Sequence, residues 1–122
     1  MQSHSFGKGR RVRRRVEFQH AFGEGTRTHG RYVTLVIAPN STGSPRLGLV
    51  ASRKVGNAVA RNRAKRLMRE VFRRNVAPGS GPAIDIVAIP RREFFEADYA
   101  ALERDLVSAI RRGSPRPARN VR

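Results

Sequence analysis

SRKVGNAVARNRAKRLMREVFRRN, residues 52 to 75, carries two patterns at once. Wound at roughly 100° per residue, positions 57 to 75 gather Ala60, Ala64, Leu67, Met68, Val71 and Phe72 into an arc of about 140°. That arc is the expected buried face. The remaining circumference holds Arg61, Asn62, Arg63, Lys65, Arg66, Arg69, Arg73 and Arg74, with Glu70 as its sole counter-charge. Solvated helix faces normally mix acids with bases for i,i+4 pairing, so a surface this one-signed predicts a polyanionic partner. Gly56 breaks the chain ahead of the helix, and Asn57 is its expected N-cap.

Upstream, Arg46–Ser52 (RLGLVAS) and Tyr32–Ala38 (YVTLVIA) read as strands joined by the turn-rich Pro39–Pro45 segment, which suggests a hairpin. Thr26–Thr28 adds a short edge strand. Arg13–Phe22 fits a short helix with Phe18 and Phe22 on one side, closed by Gly23 and Gly25. Downstream, Pro78–Pro82 ends the basic helix, and Ala83–Ile89 (AIDIVAI) is a further strand stopped by Pro90. A last helix, Asp98–Arg112, turns Tyr99, Leu102, Leu106, Ala109 and Ile110 inward and ends at Gly113. Residues 1–10 read as a flexible basic N-terminus, 11–112 as a single α/β domain and 113–122 as a disordered basic tail. The order α-β-β-(β)-α-β-α predicts an α+β fold, a small mixed sheet packed with helices. Its strand, basic helix, strand run reads as a split βαβ unit, for which the general expectation is a right-handed crossover.

A chain of 122 residues fits one domain. Its net charge of +17 repels itself unless a polyanion lies close by. Only three of the 26 basic residues are Lys, leaving 23 Arg, and guanidinium forks suit phosphate and stack on bases. RNA is thereby favoured. Cysteine is absent, which removes disulfides, thiolate metal sites and thiol nucleophiles and points to a cytoplasmic protein. No apolar run approaches the roughly 18 residues of a membrane span, and no signal-like segment follows the start.

Catalytic constellations are not found. His4, His20 and His29 fall on separate segments, without metal-ligand spacing. Glu17, Glu24, Glu70, Asp85, Glu93, Glu96, Asp98, Glu103 and Asp105 are scattered among arginines and form no acid/base dyad. No catalytic residue and no protein-bound metal is predicted; the chain reads as a binder. Phe18 and Phe22 fit either a core pair or a base-stacking pair.

Ser52-Arg53-Lys54-Val55-Gly56-Asn57-Ala58-Val59 followed by Arg61-Asn62-Arg63-Ala64-Lys65-Arg66-Leu67-Met68-Arg69-Glu70 resembles the signature of the bacterial ribonuclease P protein subunit. Glu17-Phe18-Gln19 with Phe22, Pro45-Arg46-Leu47-Gly48-Leu49-Val50 and Asp85-Ile86-Val87-Ala88-Ile89 extend the likeness over roughly residues 11 to 112. The resemblance implies a ribosomal-protein-S5-domain-2-like fold with a left-handed βαβ crossover, against the generic expectation. It implies that an RNA subunit with its Mg²⁺ cleaves precursor tRNA to make the mature 5′ end. The protein, a monomer within the ribonucleoprotein, would bind that RNA and the single-stranded 5′ leader, with no cofactor of its own, no membrane and no small-molecule substrate. Carried over by position, Arg61, Asn62, Arg63, Lys65, Arg66 and Arg69 would contact the RNA subunit, with Lys54 and Asn57 close to it. Phe18 and Phe22 would line the leader cleft beside Ser52. Where many members place a further cleft aromatic this chain has Val36, with Tyr32 four residues earlier as a candidate replacement. Two other readings fit charge and size: a structural RNA-binding protein of the ribosomal type, and a duplex-DNA binder with the basic helix in a major groove. The first lacks only a reason for the helix motif, and the second lacks base-reading variety, since Asn62 is the only Asn, Gln or Ser in the arginine-rich face.

Overall fold

The computed structural model describes residues 11–76 and 82–114. The expected flexible N-terminus, all but the first two residues of the expected tail, and most of the Pro78–Pro82 link lie outside them. Among the described residues three helices form, α1 (Arg15–Glu24), α2 (Ala58–Asn75) and α3 (Tyr99–Gly113), with four strands, β1 (Thr26–His29), β2 (Val33–Pro39), β3 (Arg46–Leu49) and β4 (Ile84–Pro90), and a 3₁₀ turn at Phe94–Glu96. One mixed sheet runs in the order β1-β2-β4-β3.

The expected hairpin between the second and third strands does not form. β4 lies between them, antiparallel to β2 with Val36 opposite Val87, and parallel to β3 with Leu47 opposite Ile86. The reason is burial: β2 and β4 are largely apolar and buried on both faces along nearly their whole lengths, which only central strands can be. The hairpin partner of β2 is β1, with Thr28 opposite Leu35. Its exposed Thr, Arg and His suit an edge. β3 and β4 are direct neighbours, so the βαβ unit is not split. The outer edge of β3 is covered by the segment before α1, where the Val12 N–H donates to the Leu47 carbonyl at 3.0 Å and Arg11 forms a parallel bridge with Leu47.

Strand alternation gives the sheet two unlike faces. Val33, Leu35, Ile37, Leu47, Ile84, Ile86 and Ala88 meet Ala64, Met68, Val71 and Phe72 of α2 and Leu102, Leu106 and Ala109 of α3 in the main core. Burial of a side chain such as Phe72 contributes about 1.5–3 kcal/mol. Of the arc expected to be buried in α2, Ala60 and Leu67 are only partly covered. On the opposite face Val36, Ala38 and Val87 pack under Ala21 of α1, with Phe18, Val50 and Ile89 at the margin. This second layer is incomplete, because α1 is short.

Two polar clusters fix the layers. Asp85, only 1% exposed, accepts from Nε and Nη2 of Arg46 at 2.8 and 2.7 Å and from the Asn40 side-chain amide at 2.8 Å, while Arg46 reaches Glu17 of α1 at 3.2 Å. Asp105 of α3 accepts the backbone N–H groups of Arg31, Tyr32 and Val33 at 2.7, 2.8 and 3.2 Å, clamping the β1–β2 turn.

Candidate nucleic-acid interface

The α2 face is built from its first turn. Asn57 Oδ1 accepts the Ala60 N–H at 2.9 Å, closing the N-terminus as expected. Gly56 holds φ at +144°, and a Cβ there would sit 2.8 Å from that of Ala60, so glycine is required before the cap. Along the solvent side Arg73 Nη2 donates to both carboxylate oxygens of Glu70 at 2.7 and 2.8 Å, and Arg74 approaches the same carboxylate at 3.8 Å. The hydrogen bonds from Arg73, with the charges of Arg73 and Arg74, hold the Glu70 carboxyl below its ordinary range. Glu70 is thereby consumed. Among the described residues no carboxylate lies within ion-pair distance of Arg61, Arg63, Lys65, Arg66 or Arg69. Arg61 donates to the Gly56 carbonyl at 3.2 Å, and Arg66 and Asn62 are exposed.

On the α1 face Phe18 lies over Gly48, where any Cβ would come within 2.9 Å of its ring. Phe22, one turn on, is 40% exposed, with the Arg27 guanidinium 5.8 Å from its ring centroid. Val36 is 1% exposed beneath α1, in the cluster against which Phe18 packs, and offers no surface of its own. Tyr32, just before β2, is partly buried against the main core, with its backbone N–H held by Asp105 and the Arg31 guanidinium 5.4 Å from its ring centroid.

Two depressions lie beside these surfaces, and the first connects them. One, of about 250 Å³, is lined by Arg11, Arg13, Phe18, Leu47, Lys65 and Arg69, and so brings an α1 aromatic and two α2 cations to one place. The other, of about 420 Å³, runs along the uncovered end of the sheet past Ser52, Lys54, His29, Thr34, Ile89 and Arg91. His29 Nδ1 lies 3.2 Å from the Thr34 hydroxyl there. Arg11, Arg13, His29, Thr34 and Arg91 carry no signal of this placement in the sequence, since it comes from the β1–β2 register, the bridge of Arg11 to the β3 edge and the Arg91 N–H bond to the Tyr32 carbonyl. His20 is elsewhere, 3.3 Å from the Pro39 carbonyl. Among the described residues no three His, Asp or Glu side chains converge as a metal-holding group, and no helix is long and apolar enough to cross a membrane.

Comparison with known proteins bears on the same elements. The family model described as Ribonuclease P matches residues 6–113. The ribonuclease P protein component of Chromohalobacter salexigens is 38% identical over 114 residues, covering 92% of this chain and 88% of the relative. The RNase P protein from Thermotoga maritima superposes with a TM-score of 0.75 at 35% identity over 86% of this chain and 98% of that one. A mutant Staphylococcus aureus RNase P protein gives a TM-score of 0.77 at 28% identity, covering 85% of this chain and 87% of that one. A one-signed helix on a four-stranded mixed sheet, a short aromatic helix on the opposite face, and a match along nearly the whole domain lead to one assignment: the chain belongs to the ribonuclease P protein family.

Proposed function

We infer that this protein is the RNA-binding subunit of a ribonuclease P ribonucleoprotein, acting in the cytoplasm as one protein copy with the ribonuclease P RNA to remove the 5′ leader of precursor tRNA. The observation that carries the reading is the shared depression of Phe18, Lys65 and Arg69. Residues suited to RNA phosphates on α2 and residues suited to stacking a single strand on α1 border the same space, so one RNA ligand can pass from one surface to the other. Arg61, Asn62, Arg63, Lys65, Arg66 and Arg69 hold the RNA subunit, with Lys54 and Asn57 at the turn; Phe18, Phe22 and Ser52 hold the leader. Cleavage belongs to the RNA and its Mg²⁺. The protein lowers the repulsion between two polyanions, and so acts on substrate affinity and on the Mg²⁺ requirement more than on the cleavage step.

Reconstitution with the ribonuclease P RNA tests this. Replacing Arg61, Arg63 and Arg66 together with Ala should weaken RNA binding, with the slope of log K against log [salt] shallower by about one unit per lost phosphate contact and the circular-dichroism spectrum unchanged. A steep slope retained by the triple variant would remove α2 from the RNA interface.

A further inference from the structure

Beside α2, on the side away from α1, a cleft of about 250 Å³ opens between α2, the 3₁₀ turn and the start of α3, lined by Arg63, Leu67, Phe94, Phe95, Asp98 and Tyr99 among others. Phe94 and Phe95 are adjacent yet opposite in environment. Phe94 is buried, whereas Phe95 is 39% exposed. The two rings meet edge-on at 90°, with centroids 5.0 Å apart, so the buried ring fixes the plane of the exposed one. The Arg63 guanidinium stands 5.3 Å from the Phe95 centroid and has no carboxylate partner among the described residues. Asp98, the one carboxylate lining the cleft, spends Oδ1 on the N-cap of α3, accepting the Ala101 N–H at 2.8 Å.

We propose that Phe95 and Arg63 form a stacking site for an unpaired nucleobase of the ribonuclease P RNA. The inference rests on the reading that α2 binds that RNA. A ring fixed in orientation with an unneutralised guanidinium over it matches a base on both counts: the base stacks on the guanidinium or on the part of the ring it leaves open, the guanidinium also donates to the base, and the attached phosphate lies near the cations of α2. A purely apolar protein partner would instead bury Arg63 without a counter-charge. A paired base within a helix could not present its face, so the ligand is a bulged or looped-out nucleotide.

The chain contains no Trp, so Phe95→Trp installs a single indole at the proposed site. Titration of this variant with the ribonuclease P RNA should quench its emission by about half or more, while its affinity stays within about threefold of wild type. Phe95→Ala should bind the same RNA about 5- to 150-fold more weakly with an unchanged salt slope, whereas Arg66→Ala should lower the slope by about one. The thermal midpoint of Phe95→Ala, measured alongside, should match wild type within a few degrees. Complex formation in a gel shift without quenching, or wild-type affinity in Phe95→Ala, would overturn the proposal while leaving the RNA-subunit reading intact. An emission change on raising protein concentration without RNA would mean that a second copy covers the cleft, and would also overturn it. Failure of the wild-type protein to bind the RNA would defeat both readings, and would be seen before any variant is made.

Discussion

Phe18 and Phe22 could be read from the sequence only as a pair, yet the structure gives them different surroundings. Phe18 is wedged over Gly48 and belongs to the second core layer, whereas Phe22 stands out beside Arg27. Phe22→Ala should therefore cost about 1–3 kcal/mol in affinity for precursor tRNA and nothing for leaderless tRNA, measured by competition binding on the reconstituted ribonucleoprotein. Equal losses on both substrates would make Phe22 a packing residue. Gly48→Ala attacks the other ring: the added methyl meets Phe18 and Val12 at 2.9 Å, and a loss of about 1–3 kcal/mol in urea unfolding is expected. Helical spacing alone could not separate the two phenylalanines, because what distinguishes them is the absence of a side chain thirty residues later in the chain, on β3.

At the scale of elements, what was legible followed periodicity. α2 was readable from its apolar arc, its cap and its charge, and α3 likewise, because a helix records its burial within its own sequence. Strand order was not, since pairing is a relation between segments: β4 displaced the expected hairpin by being largely apolar on both faces, a property visible in AIDIVAI only when set against the exposed Thr26–His29 run. The candidate site divided in the same way. The α2 cations needed no tertiary information, whereas Tyr32 needed the sheet to reveal that it faces the core, and Arg11 and Arg13 needed the β3 edge to bring them beside Phe18. The start of α2 makes this element testable. Asn57→Ala should cost about 1 kcal/mol, and Gly56→Ala more than that, because it combines an unfavourable positive φ with the contact to Ala60; thermal unfolding of both variants would order them.

For the whole molecule, the acids matter as internal fastenings. The backbone N–H groups of Arg14 and Arg13, with Arg46 adding its charge, hold the Glu17 carboxyl down at about 2 from an ordinary 4.5. A folded-state value below the unfolded one stabilises fully above about 4.5 and is lost as pH falls towards 2. Between pH 7 and 3 the wild type should lose on the order of 1 kcal/mol more than Glu17→Gln, the carboxylate being partly open to solvent; equal losses would show that this bond network contributes nothing to acid stability. Asp105→Ala, which leaves three backbone donors of the β1–β2 turn without their acceptor, should destabilise by about 2–4 kcal/mol in urea unfolding, without altering the salt slope of RNA binding. The covering of β3 by Arg11 and Val12 has a different kind of consequence. A bare outer strand offers its row of backbone donors and acceptors to any extended chain that meets it, and in a parallel pair such as β3 with β4 one side of that row is always left over. Two residues ahead of the first helix occupy it in part, so trimming the chain to the start of α1 would convert a closed sheet margin into an adhesive one and favour self-association over partnership with RNA.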